Sequence, residues 1–492
     1  MSGYKPEGAP AYLLAESRES LTSASDVLAD IALSTASSGT SPDVLVDRGA
    51  IANGTSGGDD MRDDGRALPN DFVYDWNLRG LANAKPIRTV QLLDETLRDG
   101  LQSASVRDPA VADKLKLLRL MDLLGIDVAD LGLPAAGARQ VADVTALCEV
   151  IRDEGLAVRA SAAARTLPAD IQPVIDISRA TGVPIELLTF LGASPIRTWA
   201  EGWTLDKMRR LVRTAVSMGV NAGLKVSFVT EDTVRAHPTV LEDLFRVAID
   251  EGAERLVICD TVGHATPEGV YELFEWTSEL LHKLGATHIG LDFHGHNDRG
   301  LALVNSLVAL KAGASRVHGT ALGIGERVGN CAMDQLLVNL ALHGALDRDI
   351  SSLKMYCAAV SQATAHTIPT NYPIVGQDAF RHASGVHASA IVKALSRGGE
   401  HAANRMYSGV PSDLIGRDQI FAIGPMSGES NIMAWLAANG IASNPAMVAE
   451  IRRAAKASDH TLGDEELERI VERCSDDDAS ARASLTRAAG AA

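Results

Sequence analysis

Aromatic residues are scarce in this chain, 4% of 492 positions, and cysteine is scarcer still, with five in all. The five, Cys148, Cys259, Cys331, Cys357 and Cys474, stand at long, irregular spacings without a CxxC pair. That spacing suggests neither a disulfide-stapled scaffold nor a thiolate zinc site. A reducing compartment fits such usage, and a cytoplasmic location is expected. No apolar run approaches the roughly 20 residues a membrane span needs, and no basic flank with an apolar stretch opens the chain. Positive charge is also short: 46 Lys and Arg face 63 Asp and Glu, a net charge of −17. Such a surface repels phosphate backbones and anionic lipid, so no nucleic-acid and no membrane partner is expected. Small molecules are the expected ligands.

What is present is apolar side chain in quantity, 46% hydrophobic against 22% charged, enough to build a large core. The length exceeds one ordinary domain, unless that domain is an α/β barrel of about 250 residues. Residues 1–87 mix short helical patches with Ser, Gly and Asp clusters such as Gly57-Gly58-Asp59-Asp60, and read as a poorly ordered N-terminal extension. Over 88–350 short runs rich in Val, Ile and Leu alternate with stretches of helical period. Eight strands are predicted: Thr89 to Leu97, Val128 to Leu133, Leu156 to Ala163, Pro184 to Leu191, Leu224 to Thr230, Arg255 to Asp260, His288 to His294 and Arg316 to Thr320. Eight strand-then-helix repeats close a (β/α)8 TIM barrel. The alternative, an open doubly wound sheet, usually carries a GxGxxG turn after its first strand, and none follows Leu97. From Ser351 to Ala492 the alternation stops, and a helical appendage is expected.

In such a barrel the side chains at the C-terminal strand ends share one cavity. The first strand ends in Asp94-Glu95-Thr96-Leu97-Arg98-Asp99-Gly100 and the seventh in His294-Gly295-His296-Asn297-Asp298. Two imidazoles at i and i+2 of an extended chain face one side. With Asp99 from another strand they form a facial N and O set for a divalent metal, Zn, Mn or Mg. Asn330 could add a carbonyl oxygen. Arg98, beside Asp99, is read as an electrophile that stabilises a developing oxyanion. Glu231 is a candidate acid or base at the end of the fifth strand, and Asp232 the N-cap of the helix that follows.

These motifs, with Gly323-Ile324-Gly325-Glu326-Arg327-Val328-Gly329-Asn330, resemble the DRE-TIM metallolyase superfamily, and within it the 2-isopropylmalate, homocitrate and citramalate synthases. The resemblance spans about Thr89 to Asn431. It implies a Claisen condensation of acetyl-CoA with a 2-oxo acid, then thioester hydrolysis. It places Asp99, His294 and His296 on the metal with Asn330 close by, Arg98 on the new alkoxide, and Thr261 and Gln102 with Arg98 at the substrate. Gly323, Gly325, Glu326 and Asn330 would lie against coenzyme A. Ser384-Gly385-Val386-His387 resembles the family's SGxH motif, and Tyr407 precedes Leu414-Ile415-Gly416-Arg417 as those enzymes' tyrosine does. The resemblance implies that His387 and Tyr407 act with Glu231 in proton transfer across a homodimer.

The sequence departs from the synthases in places. Gly100-Leu101-Gln102 has leucine where they carry glutamate, a form similar to hydroxymethylglutaryl-CoA lyase, and Leu188-Thr189-Phe190 lacks a histidine often found before Thr-Phe. The C-terminal regulatory domain of leucine-inhibited relatives has no counterpart before Ala492, so leucine feedback by that route is not expected. The resulting expectation is a 2-alkylmalate synthase acting on 2-oxoisovalerate, the apolar surroundings of Leu188 favouring a branched acyl group. Alternatives are homocitrate, citramalate, citrate or specialised synthases, a lyase with Cys331 on a flexible loop, or a non-catalytic binding paralogue.

Overall fold

The computed structural model describes residues 90–475 together with Asn77 and Ile87. The extension expected over 1–87 lies, apart from those two residues, outside the described part. Eight strands, β1 (Gln91–Asp94), β2 (Val128–Asp130), β3 (Arg159–Arg165), β4 (Ile185–Gly192), β5 (Val226–Glu231), β6 (Arg255–Asp260), β7 (Gly290–Gly295) and β8 (Arg316–Gly319), pair in sequence order and close on themselves. All pairings are parallel, including the closing β1 with β8. Each predicted strand is found, β6 at its predicted bounds, β1, β2 and β8 shorter, and β3, β4, β5 and β7 starting later and running one or two residues further, because a parallel strand buried on both faces writes itself as an unbroken apolar run.

The helices between strands turn one apolar stripe to the barrel. In Leu205–Asn221 the stripe is Met208, Val212, Ala215, Val216 and Gly219, and the Thr204 hydroxyl caps the start by accepting from the Lys207 amide. Inside the barrel, at the N-terminal strand ends, Arg316 is fully buried, with both Glu186 and Asp292 as partners. A buried guanidinium persists only with such compensation.

The barrel does not end where the strands do. Helix Leu353–Thr364, expected in the appendage, packs on it through Leu353, Tyr356, Cys357 and Val360. The Tyr356 hydroxyl donates to Asp94 Oδ2 at 2.7 Å and lies 3.1 Å from Thr96 Oγ1. The compact unit therefore runs to Phe380 and takes in Val410–Asp418, so a division after Ile350 falls inside it.

The second unit comprises Arg381–Gly409 and the described residues from Gln419 onward. It is helical as expected, with Gly385–Met406, Glu429–Ala438 and Pro445–Ala457, but it also holds two short parallel strands, Arg381–His382 and Ile420–Phe421. The Asn431 amide bonds the carbonyls of His382 and Ala422 at their ends. Ile423, Ile432, Leu436, Ile451 and Leu467 form its core. Among the described residues no helix is long and apolar enough to cross a membrane, and all five cysteines are free thiols.

Candidate active site

At the C-terminal ends of the strands the predicted residues of β1 and β7 meet. Asp99 opens the short turn Gly100–Gln102, and its Oδ2 lies 3.9 Å from His294 Nε2 and 3.6 Å from His296 Nε2. The two imidazole rings are 5.0 Å apart, and all three residues are buried. Asn330 Nδ2 donates to Asp99 Oδ2 at 2.7 Å and to the Ile324 carbonyl at 3.2 Å; two acceptors on that side fix the amide's orientation. Asn330 Oδ1 and His296 Nδ1 are buried with no partner. An unpaired buried polar atom calls for an explanation, and a bound ion is one. Three convergent N and O donors beside two orphaned polar atoms fit a divalent cation.

The sequence reading missed the carboxylate that orients this set. Glu95 Oε2 is 2.6 Å from His294 Nδ1, while Oε1 is 2.6 Å from Arg98 Nη2 and 3.2 Å from His318 Nδ1. Burial pushes Glu95 up, but His294, Arg98 and His318 outweigh it and hold the carboxyl well below its ordinary range. An ionised Glu95 accepts from His294 Nδ1–H, leaving Nε2 to face Asp99. Glu95, His294 and His318 also cluster tightly enough to ligate. Their facing atoms are already hydrogen-bonded to one another, and His318 Nε2 contacts Asp292 Oδ2 at 3.1 Å. The Asp99, His294 and His296 set is therefore the better cation site.

Arg98 is held on three sides, by Glu95, by Asp99 at 3.0 Å and by Asp130 at 2.7 Å. Burial lifts Asp130 to about 6, with Arg98 opposing. Asp99 is also raised by burial, but Arg98 and His294 bring it below its ordinary value. Burial and repulsion by His294 bring His296 down to about 4, which leaves the neutral imidazole that a metal requires.

These groups open on a cavity of about 300 Å3 that Gln102, Thr261, Glu326 and Glu231 also line. Leu133 just after β2, with Ala163, Leu188, Phe190 and Val229 from β3 to β5, gives it an apolar wall. Burial raises Glu231 above the usual carboxylate value. Thr261 Oγ1 accepts from the Asp232 amide at 2.8 Å, so its hydroxyl joins the backbone as well as the cavity lining. Asp232 does not cap the next long helix. It sits at φ 62° with its carboxylate on Arg235, and His237 caps Pro238–Asp250 instead.

The Gly323 to Asn330 loop closes on itself. A Cβ on Gly329 would strike the Gly323 carbonyl, and one on Gly325 would strike the Asn330 amide. The glycines thus serve the loop's own closure around Asn330, and Glu326 and Arg327 are its members that line the cavity. Cys331 is buried, its thiol pushed up to about 12, rather than presented on a flexible loop. A larger cavity, about 810 Å3, lies at the opposite ends of the strands. Among the charges that line it, Lys225 pairs with Glu254 and Arg316 with Glu186, while Arg255 pairs with Asp292. In the second unit His387 and Tyr407 stack, ring centroids 4.0 Å apart and planes 23° off parallel.

This constellation has relatives. Residues 89–360 match the family described as HMGL-like. The chain belongs to the HMGL-like family. It is 33% identical over 333 residues to the homocitrate synthase AksA of Methanocaldococcus jannaschii, covering 66% of this chain and 78% of that one. A 2-isopropylmalate synthase of the same organism is 30% identical over 366 residues, 74% of this chain and 66% of the relative. A provisionally named (R)-citramalate synthase, CimA, of Methanothermobacter thermautotrophicus is 32% identical over 382 residues, 76% and 70%. Three acceptor types at nearly equal identity mean that similarity alone does not select among them. In this HMGL-like barrel the acceptor must be argued from the cavity.

Proposed function

We propose that the protein is an acetyl-CoA-dependent 2-alkylmalate synthase, with 2-oxoisovalerate as acceptor and 2-isopropylmalate as product. One observation carries the reading: a single cavity joins the Asp99, His294 and His296 set and Glu231 to an apolar wall of Leu133, Ala163, Leu188, Phe190 and Val229. Such a wall suits a branched alkyl group and disfavours a second carboxylate, because the arginines that line the cavity, Arg98, Arg197 and Arg327, are already paired with Asp99, Glu201 and Asp298.

A divalent cation held by Asp99, His294 and His296 would supply Lewis acidity toward the 2-oxo acid. Asn330 holds Asp99 in place, and Glu95 fixes the tautomer of His294. Thr261 and Gln102 line the acceptor's position, and the loop through Gly323, Gly325 and Glu326 borders the acetyl-CoA side. Glu231 takes a methyl proton from acetyl-CoA, and the resulting carbanion equivalent forms a carbon–carbon bond with the acceptor's C2. Arg98 faces the ketone oxygen as it gains charge, and a proton returns to make the hydroxyl. Water then cleaves the thioester, releasing CoA and a second carboxylate. His387 and Tyr407, supplied by the partner of a homodimer, complete the proton transfers.

Thiol release over a panel of 2-oxo acids tests the reading. Turnover is expected to be highest with 2-oxoisovalerate and at least about tenfold lower, in kcat/KM, with 2-oxoglutarate. No free CoA with any acceptor overturns it; a preference for 2-oxoglutarate overturns the choice of acceptor.

A further inference from the structure

The rim of the apolar wall carries a cation that the motifs do not point to. β4 ends at Gly192, whose register partner on β5 is Glu231. The chain then enters the short helix Pro195–Glu201, started by the Ser194 hydroxyl accepting from the Arg197 amide. This start folds Arg197 back over the strand it has just left. Its Cβ and Cγ lie so close to Gly192 that a methyl group there would collide with them. Gly192 does not have a positive φ, so its bare backbone answers to this crossing rather than to a turn.

Arg197 and Glu231 line the same cavity. Arg197 also pairs with Glu201 at 3.3 Å and remains about half exposed, 45%. The charged and titratable groups that act on Glu231 are Arg197 and Glu201 from this helix, Asp232 beside it, and the Cys259 thiol of β6; Arg197 and Cys259 line the cavity with it. Arg197 is the cation of that group. Burial, Asp232 and Glu201 all favour the protonated carboxyl; Arg197 opposes them.

We propose that Arg197 is a positioning residue acting through Glu231: drawn across Gly192 into the cavity that both side chains line, its guanidinium is the cation against which the Glu231 carboxylate is set to take the donor's proton. The inference rests on the role given to Glu231 above, and it makes the glycine of β4 part of the same device. It needs no contact between Arg197 and either substrate.

Two measurements test it separately from the synthase reading. In turnover, Arg197→Ala is expected to move the acid limb of the kcat profile upward by roughly 0.5 to 1 pH unit, the effect of one partly screened charge. Arg197→Lys should restore most of the shift. Gly192→Ala should reproduce it in the wild-type background but add nothing in the Arg197→Ala background, since the two act through one contact. Without turnover, the Glu231 carboxyl signal in selectively 13C-labelled protein, assigned by its loss in Glu231→Gln, should titrate higher in Arg197→Ala by the same amount. A kcat profile and a 13C titration both unmoved by Arg197→Ala overturn the inference, as does a raised KM with an unmoved acid limb. If the 13C titration moves while no 2-oxo acid yields CoA, the coupling stands and the synthase reading falls.

Discussion

Glu95 holds together three side chains that sequence distance separates: Arg98 three residues on, His294 across 199 residues and His318 across 223. Asp99, His294 and His296 were legible in the sequence because an HxH pair on extended chain must face one way, and an acid at another strand end is a natural third donor. Glu95 was not legible, since an acid beside Asp94 has no evident role until the barrel closes β1 against β8. Its carboxylate fixes the tautomer and ring orientation of His294, and loss of such support usually weakens metal binding by about 10- to 100-fold. Glu95→Gln keeps the shape and removes the charge. It is therefore expected to weaken divalent-cation affinity within that range, measured by competition with a chromogenic chelator, while the circular dichroism of the fold is retained. Unchanged affinity would mean that Glu95 serves the barrel interior and not the cation.

Among elements, the eight strands were readable as apolar runs, whereas helix Leu353–Thr364 carries the same helical pattern as any piece of the appendage. What assigns it to the barrel is a contact that no periodicity encodes, the Tyr356 hydroxyl on Asp94 across 262 residues. That contact has a pH signature. Burial raises Asp94 from 3.8 to about 6, and the hydrogen bonds from Thr96 and Tyr356 pull it back down. A carboxyl whose folded pKa exceeds its unfolded one favours folding at low pH, and that contribution is lost as pH rises through the folded value. Tyr356→Phe removes a bond to the ionised form, so the folded value rises further and the loss extends to higher pH. The substitution is expected to cost about 1 to 3 kcal/mol at pH 8 and distinctly less at pH 5, read from chemical denaturation at both. An equal cost at the two pH values would show that packing, not the Asp94 bond, attaches the helix.

At the scale of the whole molecule, the residues proposed for proton transfer are divided between two compact units, Glu231 in the barrel and the stacked His387 and Tyr407 in the other. The sequence marked both sets by motif, but a motif does not say from which copy of the chain a residue comes. If His387 serves the barrel of a partner subunit, a dimer of one Glu231→Gln chain and one His387→Ala chain holds one site with both residues intact and one site with neither. If it serves its own barrel, every site in that mixed dimer lacks one of the two. Random pairing makes half the dimers mixed, so co-expressing the two variants should recover about a quarter of wild-type activity in the first case. Each variant alone should fall by roughly 100-fold or more, the usual size of a general acid–base contribution. Differently tagged chains, purified in tandem to isolate the mixed dimer, raise the expected recovery to about half. Recovery no greater than the variants' own activities assigns His387 to its own chain, and copurification without recovery does so while leaving the homodimer in place.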